Sequence, residues 1–170
     1  MRGLPIYNRA AIISDCGRFR YRLARTWDSS KTYLQFAMLN PSTADAEIDD
    51  PTIRRCVAFA RREGFGGIDV INLHAYRAMR PEELKHVDDR DGPENERYLR
   101  YVAEYQASVG GQILCAWGAT GDVFSGASRA LDTFKAAGAR TVCLGKTANG
   151  MPRHPLYVPG DQPLEPYERS

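Results

Sequence analysis

Asn40, Asn72, His74, Tyr76, Arg77, Arg153 and His154 are the side chains of this 170-residue sequence best placed to handle a polar ligand. They fall just after apolar, strand-like runs. Asn40 opens the segment Asn40-Pro41-Ser42-Thr43, and Asn72 opens Asn72-Leu73-His74-Ala75-Tyr76-Arg77. A third segment reads Trp117-Gly118-Ala119-Thr120-Gly121. A fourth, Gly145-Lys146-Thr147, runs on to Arg153-His154-Pro155-Leu156-Tyr157. An amide carries both donors and an acceptor, so Asn40 would orient a water or a ligand carbonyl, or alternatively hold an Asx-type turn before Pro41. His154 lies between Pro152 and Pro155, whose stiff backbone would fix its ring. Tyr76 offers a flat face on which a nucleobase would stack, whereas Trp117 reads as core. His86 falls in an exposed helix and takes no role.

Carboxylates gather nearby. Asp45, Glu47, Asp49 and Asp50 are potential oxygen ligands for Mg²⁺, but their spacing does not match a calcium loop. Asp50 fits better as the N-cap of a helix that starts with Pro51. The phosphate-loop pattern GxxxxGK[ST] is missing, because Gly145-Lys146-Thr147 lacks the upstream glycine, and GxGxxG, GxSxG and HExxH are missing too. No motif calls for a cofactor or a metal.

Such residues work only if folded elements bring them together. Ala10 to Ser14 and Phe19 to Thr26 read as short strands joined by the turn Asp15-Cys16-Gly17. Strands are expected at Thr32 to Leu39, Ile68 to Asn72, Gln112 to Trp117 and Arg140 to Leu144. Helices are expected at Pro51 to Glu63, Pro81 to His86, Pro93 to Ala107 and Ser125 to Ala137, with Gly64 and Gly138 as stops. Strands alternating with helices imply a mainly parallel sheet covered on both faces. The expected fold is α/β: a three-layer α/β/α sandwich with a four-stranded, mainly parallel sheet plus an N-terminal antiparallel hairpin. It would be one domain over 1–170, antiparallel over about 10–31 and α/β over about 32–166. In such sheets ligands bind beyond the carboxyl ends of the strands, so the four polar segments are expected to line one pocket.

Composition narrows the class. Hydrophobic residues are 43% and charged residues 26%, which suits a globular chain. No apolar run approaches the ~20 residues of a membrane span, and MRGLPIYNR lacks the apolar core of a signal peptide, so the cytoplasm is the expected location. Cys16, Cys56, Cys115 and Cys143 are scattered without a C-x-x-C pair, and the last two read as small core hydrophobes. The net charge of +2 neither requires nor excludes nucleic acid. Arg54, Arg55, Arg61 and Arg62 share one helix, and Arg18, Arg20 and Arg22 alternate with Phe19, Tyr21 and Leu23, placing three guanidiniums on one strand face. These clusters are either solvated surface, with charge protecting an edge strand, or contacts for phosphates, Arg54 and Arg55 foremost.

The set MLNPSTAD, DDPTIRRC, INLHAYRA, CAWG and RHPLYVP closely resembles a bacterial and phage family catalogued as a domain of unknown function, from about Arg20 to Pro166. More distantly, the motif order is similar to the uracil-DNA glycosylase superfamily. Met38-Leu39-Asn40-Pro41-Ser42 is similar to the Gly-Ile-Asn-Pro-Gly motif of its mismatch-specific branch, Asn72-Leu73 to a later Asn-Leu, and His154-Pro155 to a closing His-Pro. That resemblance implies hydrolysis of an N-glycosidic bond. Asn40 would position the attacking water, Asn72 would read the base edge, and His154 would donate to the oxygen of the departing base. Pro41, Ser42, Thr43, Asp45, His74, Tyr76, Arg77, Gly118, Lys146 and Arg153 would line the substrate site. The chain departs from that pattern in having Leu156-Tyr157-Val158-Pro159 where a Ser-Pro continuation is expected. It also lacks an obvious base-stacking phenylalanine after the first motif, and the iron–sulfur cysteine pattern. The expected partner is a nucleobase, a nucleotide or DNA. The alternative is a non-catalytic nucleotide or nucleic-acid binding module on the same fold.

Overall fold

A computed structural model describes residues 8–169; the N-terminal stretch read above for a signal sequence lies largely outside them. One mixed sheet of seven strands runs through the molecule in the order β1-β2-β4-β3-β5-β6-β7. Its strands are β1 (Asn8–Ile13), β2 (Arg20–Thr26), β3 (Tyr33–Met38), β4 (Gly67–Asn72), β5 (Gln112–Cys115), β6 (Arg140–Cys143) and β7 (Glu165–Pro166). The pairs β4–β3, β3–β5 and β5–β6 are parallel, while β1–β2, β2–β4 and β6–β7 are antiparallel. The sheet is therefore wider than the four strands expected, because the N-terminal hairpin joins it through β2 and a two-residue strand extends the far edge.

Three helices cover the sheet: α1 (Pro51–Arg62), α2 (Asn95–Ser108) and α3 (Gly126–Ala137). Strand alternation decides which residues each helix buries. Leu34, Phe36, Met38, Ile68, Val70 and Leu114 face α1, meeting Ile53, Cys56, Val57 and Ala60. Ala37, Ile71, Ile113 and Cys115 face the other way, against Leu99, Val102, Ala103, Ala130 and Phe134 of α2 and α3. Cys56, Cys115 and Cys143 are all fully buried in these clusters.

The helix ends follow their sequence signals, with one exception. Asp50 accepts the Ile53 N–H at 2.9 Å and Pro51 occupies the first helical turn, so α1 starts as expected. Gly138 ends α3 at φ 77°, where a side chain would be strained. Ser125, the expected start of α3, does not cap it. Asp122 does that work, accepting the Ser128 N–H at 3.0 Å and its hydroxyl at 2.9 Å. Phe124 and Ser125 both adopt positive φ to make the turn. Pro81–His86 forms a 3-10 helix, and a further short one, Pro155–Tyr157, went unread in the sequence.

β2 departs from the expected alternation. Its register against β1 skips Tyr21, pairing Ile12 with Arg22 and Ile13 with Arg20. This β-bulge re-aims the strand's end. Arg22 stays on the α2 side, donating to Asp69 at 3.2 and 2.8 Å. Arg20 turns to the α1 side and is 2% exposed. Three guanidiniums on one solvated face, on an edge strand, are thus not found: β2 is an interior strand and the bulge separates them.

Candidate functional site

The chain order of the parallel strands creates a crevice. From β3 the chain passes through α1 on one face, and from β5 through α3 on the other, although β3 and β5 are neighbours. Their connections diverge, which opens a ligand-sized gap beyond their carboxyl ends. A cleft of about 520 Å³ lies there, with Asn40 and Ser42 after β3, Asn72 at the end of β4 and Gly118 after β5. Arg153 and His154 close it from the last segment, and Asp50 and Arg20 complete its walls. A second hollow, about 890 Å³, opens at the opposite end of the sheet around Arg22, Asp69, Tyr101 and Tyr105. The strand-end cleft is the stronger candidate, because Asn72, Trp117 and Arg20, which line it, carry buried polar atoms without partners.

Asn72 is the first of these. It is 1% exposed, and neither its Nδ2 nor its Oδ1 has a hydrogen-bond partner. An unmet buried polar group costs about 1–3 kcal/mol, so an amide with both ends unmet at a cleft wall is a recognition element in waiting. Its backbone is pinned, since buried Asn95 donates from Nδ2 to the carbonyls of Asn72 and Leu73 at 3.0 and 3.2 Å. Trp117 is the second: the residue borders the cleft and its Nε1 has no partner, but the ring packs edge-on against Tyr167 in the core and Nε1 is turned to the Gly121 loop. Gly121 permits this packing, because a Cβ there would fall 1.8 Å from the indole.

Asn40 is held by its amide nitrogen, which donates to the Pro41 and Ala78 carbonyls, each at 3.0 Å. Its Oδ1 is left for a ligand or water. His154 caps the last 3-10 helix, accepting the Leu156 N–H on Nδ1 at 3.2 Å. That acceptor role assigns the proton to Nε2, making it a donor. Burial lowers the His154 pKa, with Asp50 pulling weakly in the opposite direction, so the ring is neutral at pH 7.

Several residues singled out in the sequence stand elsewhere. Arg55 donates to the carbonyls of Pro155 and Val158 at 3.1 and 2.5 Å, bracing the His154 segment from α1. Arg54 donates to the Asp49 carbonyl. Tyr76 bridges to Phe19 and packs edge-on against its ring, outside the cleft. Arg77 reaches the Gly17 carbonyl at 3.4 Å, and Lys146 lies over the Tyr167 ring. Pro41 contributes a carbonyl that accepts from Ala78, Thr43 is exposed, and neither lines the cleft. Asp45 folds its carboxylate onto the Glu47 and Ile48 N–H groups, and these bonds lower its pKa. Asp49 pairs with Arg9 and Arg25. The Asp45, Asp49 and Asp50 carboxylates are thus drawn into separate structural bonds, and no cluster of three metal-binding side chains occurs among the described residues.

His74 belongs to a different network. It is 1% exposed, bonds Asp91 Oδ1 through Nδ1 at 2.6 Å, and Asp91 Oδ2 in turn accepts from Arg129 at 2.9 Å. This chain ties the loop after β4 to α3.

A model of the family described as a protein of unknown function, DUF1643, matches residues 20–156. The chain belongs to that family. The matched span runs from Arg20 to Leu156 and so takes in all four strand ends, including Asn40, Asn72, Gly118 and His154. No curated protein and no solved structure matches the chain. No helix among the described residues is long and apolar enough to cross a membrane.

Proposed function

We propose that the cleft takes a nucleobase and that the protein hydrolyses the N-glycosidic bond holding it, in the manner of the uracil-DNA glycosylase superfamily it resembles. The observation that carries this reading is the buried Asn72 amide, whose free donor and acceptor complement the adjacent carbonyl and N–H of a base edge. The apolar residues Met38, Leu39 and Ile53, which also line the cleft, fit the flat remainder of a ring.

The chemistry follows from the charge that develops. As the bond from sugar carbon to base nitrogen breaks, its electron pair leaves with the base and the sugar becomes positive. Asn40 Oδ1 accepts a hydrogen bond from the attacking water, whose oxygen bonds to the sugar carbon and whose proton passes to solvent or the base. His154 Nε2–H donates to the oxygen of the departing base and spreads its negative charge. A target in DNA would first have to leave the base stack.

A second reading, a non-catalytic nucleotide-binding module, is favoured by one observation: the Asn40 amide nitrogen clasps two loop carbonyls and so also serves as a strut. The test is release of free base from single- and double-stranded DNA carrying uracil, hypoxanthine, xanthine or hydroxymethyluracil. Release abolished by Asn40→Ala supports hydrolysis, whereas no release from any substrate moves the protein to the binding module.

A further inference from the structure

Arg20 and Arg25 leave the same strand, are equally hidden from solvent, and are treated very differently by the fold. Arg25, 0% exposed, makes five hydrogen bonds: to Asp49, to Asp45 and Ile48 carbonyls, and to the carbonyls of Ala10 and Ala24. Arg20, 2% exposed, makes one, from Nη1 to the Ala44 carbonyl at 2.8 Å. Its Nε is buried without a partner. Asp50 is the main charge that offsets it, but no ion pair joins the two, and Arg77 and Arg25 add repulsion. Burial lowers the Arg20 pKa to about 10, so the guanidinium is still charged at pH 7.

A buried cation left so poorly compensated is costly unless something completes it. The bulge at Tyr21 is what aims it. By turning Arg20 to the α1 face, it sets the guanidinium on the strand next to β4, whose last residue, Asn72, faces the same way as its register partner Met38. Arg20, Asn72 and Met38 all line the cleft.

We propose that Arg20 is an anion-recognition residue on the cleft wall, and that the ligand presents a negatively charged oxygen to it beside the edge read by Asn72. A guanidinium fork matches the paired oxygens of a carboxylate or a phosphate. The ligand is then a nucleobase bearing an acidic substituent, or a free nucleotide entering phosphate first. This rests on the nucleobase reading of the cleft but not on bond cleavage.

The experiment is calorimetric titration of the full chain with matched probes: uracil against 5-carboxyuracil, uridine against uridine 5′-monophosphate, and orthophosphate alone. The expected result is that the anionic member of one pair binds at least ~10-fold tighter. Arg20→Met should erase that gap, and Arg20→Lys, which keeps the charge without the fork, should narrow it. A preference for 5-carboxyuracil identifies an acidic base; a preference for the monophosphate identifies a nucleotide. Equal affinity for neutral and anionic probes, no binding of any anionic probe, or a gap that survives Arg20→Met would each overturn the proposal. Neutral bases bound without anion preference would sink it while sparing the nucleobase reading. Anions bound without any base affinity would do the reverse.

Discussion

Leu156 donates its backbone N–H to Nδ1 of His154 at 3.2 Å, and this one bond sets what the histidine can do in the cleft. With Nδ1 accepting, the neutral ring must carry its proton on Nε2 and can only donate from that atom. A second proton would have to take Nδ1 and break the bond to Leu156. The same residue therefore couples the geometry of the cleft to its protonation.

The pH dependence follows with a definite sign. Burial favours the neutral ring and places the folded pKa below the usual 6.5. The unfolded chain then binds the proton first, so this contribution to stability is complete above 6.5 and is lost as pH falls toward the folded pKa. Base affinity and any base release should stay flat from about pH 8 down through 6.5 and decline only below it. His154→Ala should lower release by ~10²–10³-fold. A pH–rate profile of both proteins checks this.

Arg55 braces the same segment from α1 through two carbonyl bonds. Arg55→Ala should cost about 1–3 kcal/mol of stability and weaken ligand binding although the residue does not line the cleft. Denaturant unfolding measures the first effect and titration the second.

Asp50 both caps α1 and borders the cleft, and two substitutions separate those roles. Asp50→Asn keeps an acceptor for the Ile53 N–H and should lose only the charge that offsets buried Arg20, whereas Asp50→Ala should lose about 1 kcal/mol more, the worth of the cap. Melting temperatures of the pair decide whether the cap is as important as the geometry indicates.

The Asp91 carboxylate holds buried His74. Burial alone would raise its pKa, but bonds from His74 and Arg129 outweigh that and leave it lowered. Asp91→Ala strips the partner from a buried ring nitrogen and should cost about 1–3 kcal/mol, without changing which bases bind. Thermal unfolding and a base-binding panel measured together test it.

The alternation of apolar runs with capped helices was readable because both signals are local. Asp50-Pro51, Gly64 and Gly138 mark their helix ends, and the four polar segments fall at strand ends as the periodicity indicated. The gathering of Asn40, Asn72, Gly118 and His154 around one cleft follows from that alternation. What the sequence hid is non-local. Arg20 looked like a surface arginine because simple alternation was assumed, and the bulge that buries it depends on the register against β1. Asn95, which lies within the helix expected from Pro93 to Ala107, supports the Asn72 backbone from 23 positions away. Arg55, read as either solvated surface or a phosphate contact, meets carbonyls some hundred positions along the chain.

The most direct test of the central claim is titration of the wild-type chain and an Asn72→Leu variant with free uracil, hypoxanthine and xanthine. Leucine fills nearly the same volume without polar atoms, so the variant should melt no lower than wild type, its unmet donor and acceptor being gone. The account predicts saturable, one-to-one binding of at least one base to wild type and its loss in Asn72→Leu. Equal binding by both proteins, or none by wild type, would contradict it.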